Sequence, residues 1–160
     1  MYDSQATYGA QSAHAVLAQL KQFLQAGMPL TEMAHSYHVE ALLKPGIGDN
    51  AAFQHASLVE INELHHQIAA MGAILRAEQG DPTALRDVGV NIAGFIENRR
   101  LGLQLAQALP ASVKNDPSYQ KMDRLIQETQ RQNEKNMALL QQAVALGGNL
   151  TPGPLLITGP

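Results

Sequence analysis

The sequence predicts an all-α antiparallel bundle of four to five helices, some of them long and coiled-coil-like. Three observations predict it. Apolar residues recur at three-four spacing over long stretches. The joints between those stretches are short and carry helix-stop and helix-start residues. The apolar content of 45% is carried by Ala, Leu, Ile and Met, with three Phe, four Tyr and no Trp, a mix that suits helices.

Residues 1–10 are polar, small and without period, and are expected to fray. A first helix is expected over 11–26, with Val16, Leu17, Leu20, Phe23 and Leu24 on one face and Gly27 and Pro29 to close it. A second, over 31–43, has Thr31 as its cap, Met33, Tyr37 and Ala41 as a weak stripe, and Lys44-Pro45-Gly46 as its stop. The pattern strengthens over 50–79, where Leu58, Ile61, His65, Ile68, Gly72 and Leu75 follow three-four spacing and Leu64 and Met71 widen the face. Gly80-Asp81-Pro82 is a joint so short that it favours an antiparallel hairpin into the next helix, 82–109. That helix carries Leu85, Val88, Ile92, Phe95, Ile96, Leu103 and Ala106. Its Gly89, Gly94 and Gly102 each cost about 1 kcal/mol of helix propensity against Ala, so each is expected to admit a close neighbour or to mark a bend. After the joint 110–116, Asp116-Pro117 starts a last helix, 117–147. Residues 1–148 read as a single domain, and 149–160 as an apolar tail containing Pro and Gly, suited to a groove or to a second copy of the chain.

Composition narrows the function. A net charge of -3, from 11 basic and 14 acidic residues, supplies no basic field for nucleic acid or anionic lipid. The absence of cysteine removes disulfides and thiolate chemistry and fits a reducing compartment. With no leader-like opening and no apolar run of about 18 residues, the chain is expected to be cytoplasmic, without membrane insertion. Charged residues make up only 16%, below the roughly 25% usual in soluble domains. Gln and Ala must then fill much of the surface, which leaves room for sticky faces.

Catalytic and metal readings find little support. Glu32-Met33-Ala34-His35 and Glu63-Leu64-His65-His66 match the Glu-x-x-His spacing of di-iron bundles, with Glu97 and Glu128 as the lone acids such a site would need. Both motifs come first instead of alternating with lone-Glu helices, so a metal-binding bundle is the least favoured alternative and no cofactor is expected. His55 and His14 lack the neighbouring Lys of a phosphotransfer site. Gly46-Ile47-Gly48 lacks the lysine and strand of a phosphate loop and reads as a turn. No nucleophile elbow is present, and the expectation is a non-catalytic protein.

The last helix carries the clearest signal. A heptad stripe, Met122, Ile126, Thr129, Asn133, Asn136, Leu140 and Ala143, is interrupted at its centre by polar residues. Thr129, Gln132, Asn133 and Asn136 form a layer open to two readings. The seam could face solvent at its middle, with Leu125, Leu139 and Leu140 in the core. Alternatively, it is a surface on which a partner helix docks, the aliphatics supplying burial and the amides fixing register.

Residues 58–147 resemble the flagellar export chaperones usually called FlgN: a long helix, a Gly-Asp joint, another long helix, and a last helix with paired asparagines. Gln132-Asn133-Glu134-Lys135-Asn136-Met137-Ala138-Leu139-Leu140 is similar to the family's closing pattern of Asn, two spacers, Asn and an apolar pair. Residues 1–50 fall outside the resemblance. It implies an all-helical chaperone that holds unassembled hook-associated proteins and delivers them to the flagellar export apparatus. The client-binding residues it implies are Leu125, Ile126, Thr129, Asn133, Asn136, Leu139, Leu140, Ala143 and Val144. The alternative is a self-assembling structural or adaptor subunit of a phage or secretion machine, a homo-oligomer.

Overall fold

The computed structural model describes residues 3–148, with side chains from residue 13 onward. The chain forms α1 Asp3–Leu42, α2 Ala51–Glu78, α3 Ala84–Gln107, the single turn α4 Ala111–Lys114, α5 Pro117–Lys135 and α6 Met137–Ala145. All regular structure among the described residues is helical, as expected for an all-α bundle. The tail 149–160 lies outside the described residues.

The first two expected helices are one. Leu17, Leu20, Leu24, Thr31, Ala34, His38 and Ala41 are all buried and keep three-four register straight through Pro29. Proline inside a helix costs about 3 kcal/mol, and the burial of apolar side chains on both sides of it outweighs that cost. Thr31 does not cap a new helix. It is buried, and its hydroxyl donates to the Gly27 carbonyl at 3.2 Å. The segment expected to fray is helical from Asp3.

The four long elements run up, down, up, down. Along α1 and α2, Lys21 pairs with Glu78 and His38 with Glu60. Along α2 and α3, Glu63 meets Arg99 and Arg76 meets Asp87. Lys44, just past α1, reaches Asp116 at the start of α5, and α6 packs between α1 and α3. Each pairing joins an early residue to a late one, so neighbours are antiparallel. The Asp116-Pro117 start is as expected: the Asp116 side chain accepts from the Ser118 and Tyr119 amides at 3.0 and 3.2 Å. The last helix is broken at Asn136 (φ -107°, ψ 15°), whose side-chain amide donates back to the Gln132 carbonyl at 2.8 Å and competes with helical geometry.

α2 presents a different face from the one its apolar spacing suggests. Its inner stripe is Phe53, Ala56, Glu60, Glu63, Gln67, Ala70 and Ile74, all buried. Leu58, Ile68 and Leu75 are exposed and Ile61, Leu64 and Gly72 half-buried. The polar stripe turns inward because its acids meet Arg99 and His38 there, while Ala70 and Ala73 offer little bulk to hold α3 away. Two glycines of α3 do admit close neighbours. A Cβ on Gly94 would lie 2.6 Å from the His66 ring, and one on Gly89 would lie 2.7 Å from the Gly147 nitrogen. Gly102 needs no such explanation, since a Cβ there would make an ordinary 3.7 Å contact with Val59.

Two apolar clusters result. One joins Leu20, Leu24, Ile74, Ile92, Phe95, Leu140 and Ala143. The other joins Ala34, Ala41, Phe53, Val113, Tyr119, Met122 and Ile126. Between them lies a waist of buried polar side chains, among them Thr31, Glu63, Gln67, Asn98, Arg99, Thr129 and Asn133.

Candidate functional site

At the level of the waist, α1 and the α5–α6 junction part to form a groove of about 730 Å³. One wall is α1, through Gln19, Gln22, Phe23, Gly27 and Leu30; the other is Thr129, Gln132, Asn133, Asn136, Leu139 and Gln142; Gln67 of α2 and Arg99 of α3 complete the lining. Gly27 and Ala138 keep it open, and a Cβ on Gly27 would meet nothing within 4 Å. Seven amide side chains thus face one concavity beside the aliphatic surface of Leu30 and Leu139. Gln67 is buried, and its Oε1 accepts no hydrogen bond. A buried acceptor without a donor costs about 1–3 kcal/mol, so this oxygen is a local cost to the fold.

A buried ion pair holds the inner side of the waist. Arg99 Nε and Nη2 donate to the two Glu63 carboxylate oxygens at 2.8 and 2.6 Å, and Nη1 donates to the Ile126 carbonyl at 3.2 Å. Burial pushes the Glu63 carboxyl above its ordinary value, with Arg99 pulling the other way. Beyond it, a cavity of about 40 Å³ touches His38, Glu60, Glu63, Arg99 and Tyr119. His38 Nδ1 lies 2.8 Å from Glu60 Oε2 but out of line for a directed hydrogen bond. Burial lowers the His35 pKa against the pull of Glu60, and burial pushes the Tyr119 phenol up to about 12, helped by Asp123 and Glu60.

The nine residues implied as a client surface divide by depth. Thr129, Asn133, Asn136 and Leu139 line the groove. Leu140 and Ala143 are fully buried in the bundle's own core, with Val144 packed against them; Ile126 sits in the other cluster beside Leu125. Of the polar layer, Thr129 and Asn133 are buried and Gln132 and Asn136 half-buried, all four bordering the groove between aliphatics that serve the core. The acids and histidines of the two Glu-x-x-His motifs do not converge. Glu63 engages Arg99, His66 Nδ1 is 3.0 Å from Asn91 Oδ1, and Glu97 and Glu128 pair with Arg100 and Arg131 on their own helices. Among the described residues no three metal-ligating side chains cluster, and no helix is long and apolar enough to cross a membrane.

Sequence reasoning missed Gln67 and the α1 wall of the groove. The signal for Gln67 was the second three-four stripe on α2, from Phe53 to Ile74, overlooked because its members include two acids. Compared with known proteins, the chain matches no family model, no curated protein and no solved structure.

Proposed function

We propose that this chain is a non-catalytic binding module of the secretion-chaperone type, which holds a helical segment of an unassembled export client in the groove between α1 and α5–α6. The observation that supports it most is the lining itself: amides able both to donate and to accept, with Leu30 and Leu139 as apolar walls. That combination suits recognition of an amphipathic helix, with burial from the aliphatics and register from the amides. The buried hydroxyls of Ser57 and Thr129 donate to the carbonyls of Phe53 and Ile126, so neither is presented to a general base. The resemblance of residues 58–147 to FlgN chaperones specifies the client as a hook-associated protein, delivery to the flagellar export apparatus as the next step, and the cytoplasm as the location.

The test is a calorimetric titration of the purified chain with a purified peptide spanning the terminal helical segment of a hook-associated protein from the same source. Saturable one-to-one binding is expected, weakened at least roughly tenfold by Ala138→Trp, which fills the groove from an exposed position. Absence of binding, or binding indifferent to that substitution, would overturn the groove reading. Genes for flagellar export beside this one would support the client class.

A further inference from the structure

The outer face of α2 is an apolar surface with no partner among the described residues. Leu58, Ile68 and Leu75 are 43%, 52% and 43% exposed, with Ile61 half-buried between them. From Ala51 to Leu75 the only charged side chains are Glu60 and Glu63, both buried, so this face carries no formal charge along seven turns of helix. Depletion of charge is the compositional mark of an interface centre.

Three further features decide what covers it. The stripe keeps heptad spacing, Leu58, Ile61, His65, Ile68, Gly72, Leu75, which is the pattern of a helix seam facing one other helix. Reversed about the midpoint between His65 and Ile68, it also complements itself: Leu58 falls opposite Leu75, Ile61 opposite Gly72 and His65 opposite Ile68, so that large meets small at both ends of the central pair. Self-complementarity of this kind is what a two-fold interface demands. Finally, Gly72 sits in mid-helix although a Cβ there would meet only the Arg76 guanidinium, at 3.9 Å. Among the described residues nothing requires glycine at that point, and its missing side chain leaves room for a large one arriving from a facing helix.

We propose that this face is a homodimer interface, in which α2 packs antiparallel against α2 of a second copy, Ile61 of each seated over Gly72 of the other. Val39 near the end of α1 and Leu43 just past it are exposed as well. A two-helix layer about 40 Å long and 20 Å wide presents roughly 800 Å² per copy, the size of a standard stable interface. The interface lies on the side of α2 turned away from Gln67 and the groove, so it stands or falls independently of client binding.

Light scattering on the full chain at micromolar concentration is expected to give twice the chain mass. Ile68→Glu, exposed in the protomer and close to the axis, should bring two like charges together and weaken association roughly a hundredfold or more, leaving helicity unchanged. Because the chain has no cysteine, pairing direction is readable by oxidation. The double variant Leu58→Cys/Leu75→Cys should cross-link two copies, and either single variant should not, since equivalent residues lie far apart in an antiparallel pair. A monomer at all accessible concentrations would overturn the proposal, as would a dimer that Ile68→Glu leaves intact or one that Leu58→Cys alone cross-links. A ring or filament would also overturn it, because the two-fold pairing closes on itself.

Discussion

The apolar ends of the bundle and its polar waist are made by the same four long elements, yet different forces hold them. At the ends, Leu20, Ile92, Phe95 and Leu140, or Phe53, Val113 and Met122, pack by non-directional burial, and their contribution scales with area removed from water. At the waist, Glu63, Arg99, Gln67, Asn98 and Asn133 are as deeply buried, but each needs a partner in the right direction. Where one is missing, as at Gln67 Oε1 and Asn98 Oδ1, burial is a cost. The difference teaches that stability resides at the ends, while the waist gives up stability where it opens onto the groove, and on the function proposed above that is where a partner would be discriminated.

The sharpest way to break this contrast is to strand a charge in the waist. Arg99→Met should cost about 3–5 kcal/mol, because it leaves Glu63 buried and unpaired. Burial then holds the Glu63 carboxyl above its ordinary value with no cation opposing it. The folded state binds a proton more readily than the unfolded state, so the loss should shrink as pH falls toward that ordinary value and grow as pH rises above it. Chemical denaturation at several pH values reads both effects.

At the ends, Leu140→Ala removes a fully buried side chain and is expected to cost about 2–4 kcal/mol without pH dependence. The same substitution at Leu139, which borders the groove, should cost less. Equal losses would blur the division between core and groove residues.

Helix spacing gives an intermediate effect. Gly94→Ala would force a methyl against the His66 ring and should destabilise by about 1–3 kcal/mol, whereas Gly102→Ala has room and should be neutral or stabilising by up to about 1 kcal/mol. Thermal melts of the two variants side by side check this.

The smallest expected effect is at the rim. Burial alone would push the Asp116 carboxyl up, but the Lys44 ammonium and the amides of Tyr119 and Ser118 outweigh it and hold the carboxyl below its ordinary value. Its contribution is therefore complete above that ordinary value, near 3.8, and is lost as pH falls through the lower folded value. Asp116→Ala, which removes the helix cap, should cost about 0.5–2 kcal/mol at neutral pH and flatten the acid limb of the stability curve.

Much of the fold was legible because helix signals are local. The hairpin joint at Gly80 and the Asp116-Pro117 start stand in the sequence with their mechanism. The joint nonetheless runs five residues, 79–83, instead of the three of Gly80-Asp81-Pro82, and α3 starts at Ala84 instead of 82, because Asp81 turns its side chain to Thr83. Pro29 misled because a stop signal is also local, while the register running from Leu17 to Ala41 across it is sustained by packing on other helices. α2 misled in a deeper way. Two three-four stripes share that helix, and hydrophobicity selects the outer one. Only the partners Arg99 and His38, distant in sequence, make the inner stripe of Glu60, Glu63 and Gln67 the buried one. The polar layer of the last helix was found from its own residues. The facing wall, Gln19 to Leu30, could not be, because nothing in a single helix says which neighbour will stand across a gap.

The most direct test of the division between ends and waist is the double substitution Arg99→Met/Glu63→Leu, measured by denaturant unfolding beside Arg99→Met alone. If the ends supply stability and the waist discrimination, removing both charges together should recover the loss of the single variant, to within about 1 kcal/mol of the parent chain or above it. A double variant as unstable as the single one would contradict this, because the ion pair would then be holding the bundle together.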